Sequence, residues 1–310
     1  MHPAFSILFF TTLAGAAQGL VVALAVALLC GVPMGAEFFL QALALGEVLL
    51  IAGLVASFFH LGHKMRAWRA VLMWRTSWMS REVIVMPAFI GLVAVWWLAL
   101  AFQVQGLVMQ ALPAMVVLGA FALWYCTAMI YACLRFIEEW AHPLTVVNFI
   151  LIGLSAGLVL GCALASLAGE QALLRATGPW AFTVTWLAWA TRRLSLRRNS
   201  LLRHKSNLQS ATGIRSERLV QKSMGLSAGS FNTREFFHGA SAAALRHVRW
   251  GFQLLTFGLP VLLMGWGLVN AGAWPWLLAA LLQAPGLLAE RWLFFAQAKH
   301  PQNLYYQTVS

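Results

Sequence analysis

Long apolar runs dominate this chain, and about 20 apolar residues is the length that crosses a bilayer as a helix. Strong runs cover Ser6–Cys30, about Leu40–His60, the stretch from Glu82 to Phe102, Met109–Ala132, Leu144–Ala168, Gly251–Ala271 and Trp274–Ala296. A weaker one, Gln171–Ala190, is interrupted by Arg175, Gly178 and Pro179. In hydrocarbon every backbone polar group needs a partner within the protein, which favours helices. The reading is an all-α integral membrane protein, a bundle of eight transmembrane helices with a long segment between helices 6 and 7. Three parts follow: 1–190, a six-helix membrane portion carrying a His60–Glu82 loop; 191–248, a basic segment; and 249–310, the last two helices and a tail.

Charge placement gives the bundle a direction. On eight helices, the 2–3 loop holds five of the 21 Lys and Arg, the 4–5 loop one (Arg135), the 6–7 segment twelve and the tail two. All four regions fall on one side; the other side keeps only Arg175. Basic loops stay cytoplasmic, so both termini and the His60–Glu82 loop are expected inside a bacterial inner membrane. This parity depends on the weak sixth helix.

Absent residues remove whole classes of chemistry. The nine acidic residues are all Glu, so a Ser-His-Asp triad and Asp-based Ca or Mg sites are out. Cys30, Cys126, Cys133 and Cys162 sit in or beside apolar runs without CxxC spacing, which argues for buried packing over a disulfide, zinc or Fe–S site. None of the eight His is in mid-span, against a transmembrane haem. No Lys or Arg precedes Lys64, so Met1–Leu29 reads as a retained helix, not a cleaved signal. A secondary transporter would want internal repeats and polar residues at the midplane, and neither stands out. Gly15 and Gly19, and Gly153, Gly157 and Gly161, have the four-residue spacing of close helix contacts within one bundle.

The stretch HLGHKMRAWRAVLMWRTSWMSRE, His60 to Glu82, is the candidate working end. Leu61, Met65, Trp68 and Leu72 recur at three- and four-residue spacing while the basic residues fall largely elsewhere, the pattern of an interfacial amphipathic helix on lipid. His60 and Glu82 close and open the flanking spans. An imidazole there donates a hydrogen bond and a partly buried carboxylate accepts protons, the two services quinol oxidation needs. A structural His and a Glu82 paired with Arg81 is the competing account. Among other polar residues, Glu47 is expected to snorkel to the outer interface, Gln18 and Asn148 to find partners in the bundle, and Glu290 to pair with Arg291.

The HLGxxxR pattern, a Glu opening the third helix, the start HPAFSILFFTTLAGAAQG and the eight-helix count together resemble the DmsC family. These are membrane anchor subunits of dimethyl-sulfoxide-reductase-type molybdoenzymes. The resemblance covers most of the chain and is strongest over 1–100. It implies an anchor with no metal, haem, Fe–S cluster or molybdopterin of its own. Such an anchor binds an exchangeable quinone or quinol through His60, Arg66 and Glu82, with His60 and Glu82 as the catalytic pair. It also holds a four-cluster ferredoxin-like iron–sulfur subunit and a molybdopterin catalytic subunit. The cytoplasmic basic side and the long 6–7 segment look more like the SoeC branch, anchors of cytoplasmic sulfite-oxidising enzymes. An anchor of a menaquinol-oxidising dimethyl sulfoxide reductase, a purely structural anchor, and the related polysulfide reductase membrane subunits are the alternatives.

The 6–7 segment opens with TRRLSLRRNSLLRHK, read as contact with anionic lipid and not nucleic acid. Its later part, SFNTREFFHGASAAALRHVRW, reads as a helix start capped by Asn232 with Glu235 reaching back, running into the seventh span.

Overall fold

The computed structural model describes residues 3–59, 61–203, 205–216, 218–220 and 238–301. Their regular structure is helical throughout. The helices are α1 (Phe5–Leu29), α2 (Ala36–Phe58), α3 (Trp78–Ala101), α4 (Leu107–Ala132), α5 (Pro143–Ala168), α6 (Gln171–Ser200), the short α7 (Leu208–Thr212), α8 (Ala242–Val269) and α9 (Trp274–Ala296). Seven of them, α1 to α5, α8 and α9, are long and apolar enough to cross a membrane. The protein is a multi-pass membrane protein.

Of the expected eight spans, seven thus have the length and composition to cross; α6 is long enough but too polar to qualify on composition. It is a continuous 30-residue helix, about 45 Å long, that ignores the breaks its sequence suggests. Thr183 donates to the Pro179 carbonyl at 2.8 Å, and Gly178 is small because Trp276 and Leu268 pack on it. The helix lies antiparallel along α5: Thr177 meets Cys162, Thr185 meets Ser155 at 2.7 Å, and Arg198 reaches the Glu138 carbonyl just before α5. Its basic residues near one end keep its composition polar, yet Arg192 is buried beside the apolar core.

Glycine decides the tightest contact. α1 and α5 cross at Gly19, Gly153 and Gly157; a Cβ on Gly157 would sit inside the backbone of Gly19 and Leu20. The four-residue glycine spacing thus serves contacts within the bundle. α2 packs on the opposite side of α1, with Gly46 against Val21 and Gly53 against Ala14.

Several local readings shift. The segment after α2 is a 3-10 helix, Lys64–Met73, with no buried residue. At three residues per turn, Met65, Trp68 and Val71 share one row, but Leu72 falls in the row of Arg66 and Arg69, so the expected apolar stripe of Met65, Trp68 and Leu72 is split. α3 begins four residues earlier than Glu82, with Ser77 as its N-cap. The described helix leading into the seventh span starts at Ala242, capped by Ser241; Asn232 and Glu235 lie outside the described residues. α8 contains a π-helical stretch, Gln253–Gly258, where α9 comes so close that Gly286 abuts Thr256. Cys126 and Cys162 are buried, but Cys30 and Cys133 are exposed at helix ends, where packing does not account for them.

Candidate functional site

Connections 2–3 and 4–5, the end of α6 and the end of α9 all meet at one end of the bundle, called here the Glu82 end. About two turns inside it, six helices each bury a polar side chain at similar depth: Thr11, Glu82, Thr127, Asn148, Arg192 and Arg291. Burying such groups in hydrocarbon is costly unless they are paired.

Glu82 is in the second turn of α3, and its side chain faces the bundle interior at 8 % exposure. The hydroxyl of Thr127 on α4 donates to Glu82 Oε1. Arg81 does not pair with it. Its guanidinium donates to the carbonyls of Trp74 and Arg75, both at 2.9 Å, and lies 4.1 Å from the Trp78 ring centre. Pairing of Glu82 with the neighbouring arginine is thereby overturned: Arg81 instead ties the end of the 3-10 segment to α3.

The other two site residues expected from sequence separate. Arg66 is exposed on the 3-10 helix, and no hydrogen bond or ion pair joins it to Glu82. His60 lies outside the described residues.

Sequence reasoning missed the strongest charged cluster. Glu290 on α9 pairs with Arg192 on α6 at 2.7 Å, while its neighbour Arg291 is 3.5 Å away. All three are almost fully buried. Glu290 is therefore an interhelical partner more than a self-paired helix end. The guanidinium of Arg291 rests over the Phe149 ring at 4.0 Å. The only signal available in sequence was an arginine at the start of a run whose charge points to the membrane surface.

Thr127 and Arg291 line one narrow cavity, together with Thr11, Gln18, Met86 and Trp124. It has about 10 Å³ of room, the space of a single water. Gln18 Oε1 and Asn148 Oδ1 are buried with no hydrogen-bond partner among the described residues, contrary to the expectation that the bundle would satisfy them. Glu47 is corrected as well. It stands at the centre of α2, about 16 Å from either end, too deep to snorkel, with Oε2 buried and without a hydrogen bond.

No group of three or more His, Cys or Glu suited to a metal ion occurs among the described residues. A polytopic helical bundle with buried carboxylates near a basic end, Glu82 and Glu290 among them, and an exposed segment beside it, defines an integral-membrane protein. Comparison with known proteins gives the family. The family model "DMSO reductase anchor subunit (DmsC)" matches residues 1–218, and the chain belongs to that family. A sulfite dehydrogenase subunit of Allochromatium vinosum is 47 % identical to it over the full length of both chains. As an anchor subunit, the protein works within an oxidoreductase complex.

Proposed function

We propose that this chain is the membrane anchor and quinone-exchanging subunit of a sulfite-oxidising molybdoenzyme. It passes electrons between an iron–sulfur subunit and the quinone pool, while a molybdopterin subunit acts on the substrate. Similarity to a sulfite dehydrogenase subunit along its whole length supports the sulfite-oxidising branch over a dimethyl sulfoxide reductase. The observation that carries the quinone reading is Glu82: a buried carboxylate, held by one hydroxyl and, among the described residues, without an ion pair, since Arg81 turns away.

Bound quinone supplies a two-electron, two-proton couple between ring carbonyls and hydroxyls. Glu82 holds one of those protons at its carboxylate, and Thr127 fixes the direction in which that carboxylate presents its free oxygen. His60, two residues past the end of α2, is assigned the hydrogen bond to a ring oxygen. Arg66 contributes positive charge at the mouth, and with Arg69 and Arg75 contacts lipid phosphate beside the Trp68 and Trp74 rings. The Glu82 end carries nearly all the basic residues, which supports a cytoplasmic position for it and for both termini in a bacterial inner membrane. The chain between the end of α6 at Ser200 and the start of α8 at Ala242 is then the cytoplasmic segment between the six-helix portion and the last pair, shorter than the expected 191–248 because Arg192 and Ser195 are buried in the bundle.

The test is quinone turnover by the assembled complex. Glu82→Gln and His60→Ala are expected to leave assembly intact and stop quinone turnover. Normal quinone kinetics in both would remove the assignment of these residues.

A further inference from the structure

We propose that the cavity between α1, α4 and α9 binds one water that extends the Glu82–Thr127 pair to Gln18 and Arg291, forming a short proton relay. The proposal rests on the quinone reading above and names the residues that reload Glu82.

The walls of the cavity carry the argument. Gln18, 2 % exposed, brings a carbonyl oxygen that nothing in the protein satisfies among the described residues. Such an orphaned buried acceptor calls for a partner, most often ordered water. Thr127 has spent its proton on Glu82, so its oxygen is free to accept. Arg291, 4 % exposed, has Glu290 at 3.5 Å and an aromatic face as its near neighbours, which leaves donors for a further acceptor. A water placed among these three accepts from Arg291 and donates to Gln18 Oε1 and Thr127 Oγ1. Three hydrogen bonds is the usual complement of a buried water, and about 10 Å³ is the room it requires. The space is too small for a quinone ring, so the ring binds elsewhere, toward the mouth.

Protons balance along this chain. When the Glu82 carboxylate has given up its proton, Thr127 Oγ1 passes its own to the carboxylate and takes one from the water. A proton entering from the basic end replaces the one the water gives up in the same concerted shift, so no hydroxide is left behind. Arg291, by donating to the water, fixes the direction in which the water hands its proton on. Glu290, itself paired with Arg192, lies 3.5 Å from Arg291 and helps to hold it in place. Gln18 and Arg291 are thus positioning residues; neither touches quinone.

The experiment uses the assembled complex and two readouts. A cryo-EM map fine enough to show ordered waters is expected to place one within hydrogen-bond distance of Gln18, Thr127 and Arg291, and to lose it in Gln18→Leu. Quinone turnover in Gln18→Leu is expected to fall about 100-fold, the scale of a lost proton-transfer step, with assembly preserved. Thr127→Val is expected to fall likewise and Thr127→Ser to recover. A map with no water there overturns the proposal, as does wild-type turnover in Gln18→Leu and Thr127→Val while Glu82→Gln is inactive. Activity retained in Glu82→Gln itself would instead bring down the underlying quinone assignment.

Discussion

At the scale of single residues, neighbours in sequence are poor guides to partners. Arg81 adjoins Glu82 and Arg291 adjoins Glu290, so pairing within each dipeptide is the natural expectation. Helix geometry works against it, because side chains at i and i+1 diverge by about 100°. Arg81 turns to backbone carbonyls at 2.9 Å, and the shortest pair of Glu290 is Arg192, 98 positions away. Breaking a buried ion pair by removing one partner costs about 3–5 kcal/mol, since the other charge stays buried. Glu290→Gln is therefore expected to lower the thermal unfolding midpoint of the detergent-solubilised chain substantially. An unchanged midpoint would mean that the cluster contributes nothing to the fold. Glu82 was recognisable from its place after a basic loop; Thr127, its hydrogen-bond donor 45 residues on, was not.

At the scale of helices, small residues and caps set the geometry. Gly157 lets α5 lie directly on α1, so Gly157→Ala forces the two apart and should cost about 3 kcal/mol, the upper range for overpacking. Gly91→Ala is the control: its Cβ would meet nothing within 4 Å, and thermal unfolding is expected to be unchanged or slightly improved. α5 also starts on an imidazole cap, His142 Nδ1 accepting from the Leu144 N–H at 3.1 Å. Burial and the nearby Arg198 hold the His142 pKa below the usual imidazole value. The unfolded chain therefore takes up the proton first, and stability is lost as pH falls below the ordinary histidine pKa. His142→Asn, with a cap that does not titrate, should flatten that dependence in unfolding measured between about pH 7 and 5.

At the scale of the whole molecule, charge and connectivity point the same way. Because α6 runs antiparallel along α5, the 4–5 loop and the start of the 6–7 segment share an end with the 3-10 helix. Reporter enzymes fused after Arg75 and after Ser223 should both give cytoplasmic signals. An external position for Arg75 would favour an enzyme docked on the outer face. Signals on opposite sides would mean that α6 does not cross, whatever its packing.

The amino-acid sequence by itself determined the class of protein. Its apolar runs are as long as a bilayer is thick, and no other fold buries them, so span positions were legible to within a few residues. Basic loops and Glu82 also marked one end of the bundle as the charged one, because charge near hydrocarbon is rare enough to stand out. Only the tertiary structure decided what those charges face. Arg192 lies in a basic run yet is buried, Glu47 lies at mid-depth beyond snorkelling reach, and Gln18 and Arg291 share one small cavity with Thr127. Those facts depend on the rotation of each helix about its axis and on which helix lies beside it. Uniformly apolar spans carry almost no amphipathic signal to specify either; close packing at glycines and buried hydrogen bonds do.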